Sequence, residues 1–175
     1  IMASVGENVR FQPRLIPLYP ELIKMHNNIM IAAKVTFVTH DAIHTVLNKL
    51  DKGEFPEAIG CIEICDNVFV GSNTTIMSNV RIGENVIIGA NSLVNKDCEP
   101  NSIYAGIPAK RIGSFDDLVK KRSLKNYPTV ARNQELTQEE FENFDVDVVV
   151  YATGATPRNL NIEGKEHVID AIDYL

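Results

Sequence analysis

From Ile59 to Asp97 the hydrophobic and polar positions return every six residues, reading ICDNVF, VGSNTT, IMSNVR, IGENVI, IGANSL, VNKDCE from Ile64 on. The first slot holds Ile64, Val70, Ile76, Ile82, Ile88 and Val94. The fifth holds Val68, Thr74, Val80, Val86, Ser92 and Cys98, and the fourth Asn67, Asn73, Asn79, Asn85, Asn91 and Asp97. A branched aliphatic in each hexad, with a smaller partner four residues on, predicts one short strand per hexad whose inward side chains stack on the next turn of chain. Asn and Asp tolerate the left-handed backbone region, so the fourth slot predicts a sharp corner. Gly71, Gly83 and Gly89 stand beside those corners, where a side chain would crowd the turn. Strand, corner, strand makes a solenoid in which each rung buries its inner face only against its neighbours. Each large aliphatic so buried contributes about 1.5–3 kcal/mol, which makes the first-slot column the core. A β-sandwich, the competing reading, would want alternation over turn-bounded units of about 8–12 residues.

The frame extends upstream. Val5 and Phe11 take the first slot with Val9 and Leu15 in the fifth; IPLYPEL then interrupts, its two prolines marking a loop. Met25, Ile31 and Phe37 resume the first slot, with Ile29 and Val35 in the fifth. The pattern stops at His40, and residues 41–57 form an excursion without hexads, in which Ile43, Val46, Leu47 and Leu50 predict one apolar face of a short helix. Beyond the repeats, SFDDLVKKRSL predicts a helix capped by Ser114 with Asp117 three residues on, placed to cover the open end of the solenoid. LTQEEFENF, capped by Thr137, predicts a second helix within a helical segment over 114–143.

The repeats and the closing phrase VNKDCEPNSIYAGIPAKRIG resemble the hexapeptide-repeat acyltransferases, from about Val5 to Lys125. Asn95 stands where that family more usually has Thr. The resemblance implies a mainly β fold, a left-handed parallel β-helix of triangular section with three hexads per coil, over 1–113. It also implies acetyl-CoA as acyl donor, a sugar or polysaccharide hydroxyl as acceptor, and a homotrimer with each site shared between neighbours. The last stretch, 144–175, has no hexads; its VVVYATGATPR resembles a strand and turn of NADH-dependent flavin oxidoreductases. The Gly-rich fingerprint and ribose-binding acid are absent and Glu163 stands where that family usually has Pro, so this tail reads as a foreign fragment without redox function.

Composition narrows the partners. The chain has 175 residues and 45% apolar content, enough for one sizeable core. Its net charge of −6 divides unevenly: residues 1–133 carry 15 basic against 13 acidic side chains, and the remainder carries Arg158 and Lys165 against ten acids. The repeats can therefore hold a phosphate-bearing ligand, while no basic stripe interleaved with aromatics points to nucleic acid. Cys61, Cys65 and Cys98 have no zinc or disulfide spacing, and Cys65 and Cys98 occupy hexad slots as packing residues. No apolar run is long enough for a membrane span and no signal-peptide pattern precedes the repeats, so a reduced, cytoplasmic protein is the expectation. The first residue is Ile, so the N-terminus is open to having been trimmed.

His40 takes a corner slot immediately before the excursion, in VTHD, which also resembles the family's catalytic-histidine segment. An imidazole there accepts a proton from an attacking hydroxyl at neutral pH. With no Ser or Cys in a nucleophile-elbow context, direct transfer is expected rather than an acyl-enzyme. Asp41 either orients His40 or only starts the loop. If the excursion leaves and returns at one corner, counting hexads puts those starting at Phe37, Val70 and Ile88 on one face, with His40 beside Ser72 and Ala90 at the end of a groove fitting a pantetheine arm. The resemblance places coenzyme A on Ser72, Ala90, Asn95, Lys96 and Lys110, and Arg111 joins the two lysines as charges for phosphate. His44 and Tyr19 are candidates for holding the acceptor. No metal is expected: His40 and His44 supply two nitrogens, short of the three histidines of the zinc β-helix carbonic anhydrases. A non-catalytic scaffold is the remaining alternative, and thioester turnover separates the two.

Overall fold

Three short strands and three corners make each complete coil in the computed structural model, which describes residues 2–124 and Thr137. The first coil has β1 (Ser4–Val5) and β2 (Val9–Phe11); the second has β3 (Ile23–Met25), β4 (Ile29–Ile31) and β5 (Thr36–Phe37). The third has β6 (Ile62–Ile64), β7 (Val68–Val70) and β8 (Thr75–Ile76), and the fourth β9 (Val80–Ile82), β10 (Val86–Ile88) and β11 (Leu93–Val94). Strands of successive coils pair in parallel, giving a first face β1-β3-β6-β9, a second with β12 (Ser102–Ala105)-β10-β7-β4-β2, and a third β11-β8-β5. The coil strands stay at two to four residues because a left-handed Asn, or Lys34 after β4, turns the chain after most of them; β2, β5 and β11 end without one.

Most of those corners carry the left-handed conformation the fourth slot predicts; Asp97, the last of the run, does not. Asn8, Asn28, Asn67, Asn73, Asn79, Asn85, Asn91 and Asn101 have φ between 53° and 60°, and Lys34 joins them at 60°. At one corner the asparagine side chains bond one another along the axis: Asn8 to Asn28, Asn28 to Asn67, Asn67 to Asn85 and Asn85 to Asn101, at 2.8–2.9 Å. Gly71 lies where a Cβ would come within 2.4 Å of the Ala90 backbone nitrogen, so only Gly lets these two coils close.

The core is columnar. Met25, Ile64, Ile82 and Cys98 stack on the first face, Ile31, Val70, Ile88 and Tyr104 on the second, and Phe37, Ile76 and Val94 on the third, all buried. Fifth-slot Thr74 and Ser92 are buried too, and each hydroxyl donates to the Gly89 carbonyl.

Three expectations change at the edges. The first coil has no third-face strand, and Leu15 is 79% exposed rather than inward, because the proline loop carries it away from the prism. The helix of the excursion, α1, is only His44–Leu47, and Ile43, Val46 and Leu50 face solvent. The last edge of the second face is closed by an antiparallel strand, β13 (Lys110–Ser114), which the hexad frame does not announce. Helix α2 (Phe115–Ser123) forms where predicted, with Ser114 Oγ accepting the Asp117 N–H, but it buries none of its residues. Among the described residues no helix is long and apolar enough to cross a membrane. The second helix expected after Thr137 and the tail 144–175 lie outside the described residues.

Candidate active site

His40 sits at the neck of the excursion. It pairs with Ile59 in an antiparallel bridge, the Asp41 N–H donates to the Ala58 carbonyl at 2.9 Å, and the Gly60 N–H donates to the Thr39 carbonyl at 2.8 Å. The outgoing and returning limbs therefore close on each other, and the chain re-enters the prism at the corner it left, where the Cys61 carbonyl accepts the Asn79 N–H. This is why a long insertion leaves the coils in register.

The imidazole is half-buried. Its Nδ1 is fully enclosed without a hydrogen-bond partner, as are Nδ1 of His44 and Oγ1 of Thr39. The ring of Tyr19 meets it edge-to-face, centroids 5.5 Å apart and planes at 86°. Tyr19 comes from the proline loop between β2 and β3, and its hydroxyl donates to Oε2 of Glu57 at 2.8 Å. That hydrogen bond, then desolvation, raises the phenol above its ordinary pKa. Asp41 takes the second of its two roles: its Oδ1 accepts the Ile43 N–H at 3.0 Å and starts the loop, and it makes no hydrogen bond with His40.

The ridge of small residues lies elsewhere. Phe37 pairs with Ile76 and Ile76 with Val94, whereas Val70 pairs with Ile31 and Ile88. His40 thus shares its corner with Asn79 and Asp97, not with Asn73 and Asn91. Counting hexads from Ala58 slips by one face because residues 58–61 run back along Thr39 and His40 and build no rung. Ser72 and Ala90 stand at the corner that precedes the third face, with Ala33; His40 stands at the corner that follows it. At the ridge the Asn73 N–H donates to Ala33 and the Asn91 N–H to Ser72, while the N–H groups of Ser72 and Ala90 make no hydrogen bond among the described residues.

Asn95 and Lys96 follow β11 and reach the His40 corner two coils along the axis, about 10 Å away at the usual strand spacing. Both are exposed, as are Lys110 and Arg111 at the start of β13. Arg111 Nε donates to Ser102 Oγ at 2.9 Å, which fixes the guanidinium's stem against the end of the prism. The structure therefore gathers His40, Tyr19, Asp41 and His44 around the excursion and sets Ser72 and Ala90 apart. Glu57 was not legible in the sequence: it lies in a stretch without periodicity and reaches Tyr19 only because the loop closes.

A second polar cluster lies on the first face. Donor atoms of His26, Glu63 and Cys65 fall within 4.8 Å of one another. The Glu63 carboxylate already meets His26 at 2.8 Å, Lys24 at 3.1 Å and Arg81 at 3.2 Å. Hydrogen bonds from His26 and then Lys24 hold its pKa down to about 2. With two permanent cations on the carboxylate, this is an ion-pair hub rather than a metal centre.

Comparison with known proteins fits this architecture. Residues 62–96 match the family of bacterial transferase hexapeptide (six repeats). Galactoside O-acetyltransferase of Escherichia coli (strain K12) is 38% identical over 127 residues, covering 70% of this chain and 59% of that protein. Protein CapG of Staphylococcus aureus is 42% identical over 99 residues, 55% of each. The crystal structure of a maltose O-acetyltransferase from Clostridium difficile 630 superposes with a TM-score of 0.50 at 28% identity, covering 64% of this chain and 69% of that one. The chain spans less than two thirds of the length of the curated relatives it matches. The three-sided parallel solenoid is the left-handed β-helix that the resemblance to the hexapeptide-repeat acyltransferases implied.

Proposed function

We propose, from a hexapeptide-repeat transferase domain homologous to the galactoside and maltose O-acetyltransferases and to CapG, that this protein transfers an acetyl group from acetyl-CoA to a sugar or polysaccharide hydroxyl. The observation that carries the reading is His40: a half-buried imidazole, clamped at the neck of a loop on a rigid prism, with no hydrogen bond to its ring among the described residues.

Its accessible ring nitrogen takes the proton of the acceptor hydroxyl, and the alkoxide attacks the thioester carbonyl. The tetrahedral intermediate collapses with loss of the CoA thiolate, giving an ester without an acyl-enzyme. The unpaired N–H groups of Ser72 and Ala90 support a groove for an amide-bearing pantetheine arm, because extended amides bond exposed backbone donors. Asn95, Lys96, Lys110 and Arg111 supply the polar and cationic end for the phosphates. Tyr19 and His44 face the acceptor.

Because ridge and imidazole stand at different corners of one chain, we assign the working unit to a homotrimer in which one copy's ridge brings the thioester to a neighbour's His40. Leu15, Ile16 and Leu18 with Ile43, Val46 and Ile59, all more than half exposed, suit a subunit contact better than open solvent. A cytoplasmic site of action follows from the need for acetyl-CoA. The test is acetyl-CoA turnover against a panel of sugar acceptors, with His40→Ala as control: loss of about 10²–10⁴-fold in kcat supports the base, and unchanged turnover sinks it.

A further inference from the structure

A general base needs its ring held as well as placed, and the usual means is a hydrogen bond to the nitrogen not engaged in catalysis. In His40 that means is missing among the described residues. Nδ1 is enclosed without a partner, and the neighbouring Asp41 turns its Oδ1 to the Ile43 N–H rather than to the ring. Among the described residues the aromatic ring packed against the imidazole is Tyr19, edge-to-face at 5.5 Å and 86°. An imidazole without a hydrogen bond on Nδ1 is oriented by packing, and the ring of Tyr19 supplies packing against it.

What holds Tyr19 is therefore the next question. It lies between Pro17 and Pro20 in a loop that ends in a single 3-10 turn over Pro20–Leu22, where the Leu22 N–H donates to the Tyr19 carbonyl at 3.2 Å. That anchors the backbone and leaves the side chain one polar tether, the 2.8 Å bond from its hydroxyl to Oε2 of Glu57. Glu57 itself is firmly based: the next residue, Ala58, accepts the Asp41 N–H, and Gly60 donates to Thr39. A carboxylate on the returning limb of the loop thus reaches, through one phenol, the imidazole on the outgoing limb.

We propose that Glu57 is a positioning residue for His40, acting through Tyr19, so that closure of the excursion sets the angle of the base. This rests on the reading of His40 given above and adds to it a carboxylate that never meets the substrate.

The test uses the full chain with Tyr19→Phe, Glu57→Ala and Glu57→Gln, and two readouts. One is kcat and KM for acetyl-CoA with an active sugar acceptor. The other is the pair of imidazole ¹⁵N shifts of His40, assigned by their loss in His40→Ala. Tyr19→Phe and Glu57→Ala should each lower kcat by about tenfold, short of the 10²–10⁴-fold of the base itself, with KM for acetyl-CoA unchanged. Both should move the His40 shifts. Glu57→Gln, whose amide oxygen still accepts the phenol proton, should stay within about twofold of wild type and leave the shifts in place. A plain loop staple would lower the melting temperature of Glu57→Ala and move neither readout, and that result overturns the proposal. So does any outcome in which only one of the two readouts moves, or in which Glu57→Gln behaves as Glu57→Ala. If the wild-type protein transfers no acetyl group, the proposed function fails by itself, and the His40 shifts alone decide the positioning: moved in Tyr19→Phe and Glu57→Ala they uphold it, unmoved they end it.

Discussion

The side-chain amide of Asn67 donates to Oδ1 of Asn85 at 2.9 Å, one rung of a ladder that ties successive coils along a single corner. Asn67 holds φ at 60° and Asn85 at 54°, so each asparagine serves its own turn and its neighbour at once. At this corner the ladder gives the fourth slot a reason to hold Asn rather than Gly. Glycine would satisfy the turn and leave the coils unlinked.

Asn67→Gly should therefore cost about 1 kcal/mol, the price of its side-chain hydrogen bonds, while Asn67→Ala should cost about 2–3 kcal/mol because it adds left-handed strain. Denaturant midpoints measure both. Equal losses would mean that the strain contributes nothing.

Ile82 is fully buried between Ile64 and Cys98, so Ile82→Ala should destabilise by about 2–5 kcal/mol. Val5, also in the first slot but 53% exposed at the open end, should change stability by less than about 0.5 kcal/mol when truncated. The contrast separates hexad position from actual burial, and equal losses would show that position alone matters.

Glu63 predicts an acid limb of stability. Its pKa is depressed in the folded chain to about 2 from an ordinary 4.5, so its contribution is complete above the unfolded value and is lost as pH falls through the folded one. The carboxylate is about a third exposed, and a contribution of about 0.5–1 kcal/mol is expected at neutral pH. Unfolding curves of Glu63→Gln should be flatter than wild type between these two pKa values. Identical slopes would show that the hub gives no net stabilisation.

The three thiols should separate by reactivity. Cys61 is exposed, Cys65 and Cys98 are buried, and burial pushes the Cys98 thiol up to about 12. Iodoacetamide at neutral pH should label Cys61 in the folded protein and reach Cys98 only on unfolding, with mass spectrometry of peptides as the readout. Early labelling of Cys98 would contradict its place in the core column.

Lys96→Ala and Lys110→Ala should raise KM for acetyl-CoA several-fold with kcat nearly unchanged, since contacts to remote phosphates act equally in ground and transition states. The effect should shrink as salt screens the charges. A kcat loss instead would place these lysines at the reacting thioester.

Much of this protein was legible before any coordinate. The hexad names the inward residues, the turn residues and the parallel stacking, because each depends on interactions repeated at short sequence distance. The Ser114 cap of α2 was legible for the same reason: Oγ and the Asp117 N–H are three residues apart. The antiparallel strand β13 was not, since its pairing with β12 follows from an unfilled sheet edge rather than from its own periodicity.

The sequence by itself determined the stacked solenoid, its corners and the candidate imidazole at the break in the repeat. Only the tertiary structure decided which face that imidazole belongs to. A register depends on where the excursion closes, and His40 pairing with Ile59 is a contact between limbs that no local pattern encodes. The same closure brings Glu57 to Tyr19 and Tyr19 to His40, three residues from separate stretches of chain, because edge-to-face packing and a phenol–carboxylate bond require proximity in space alone.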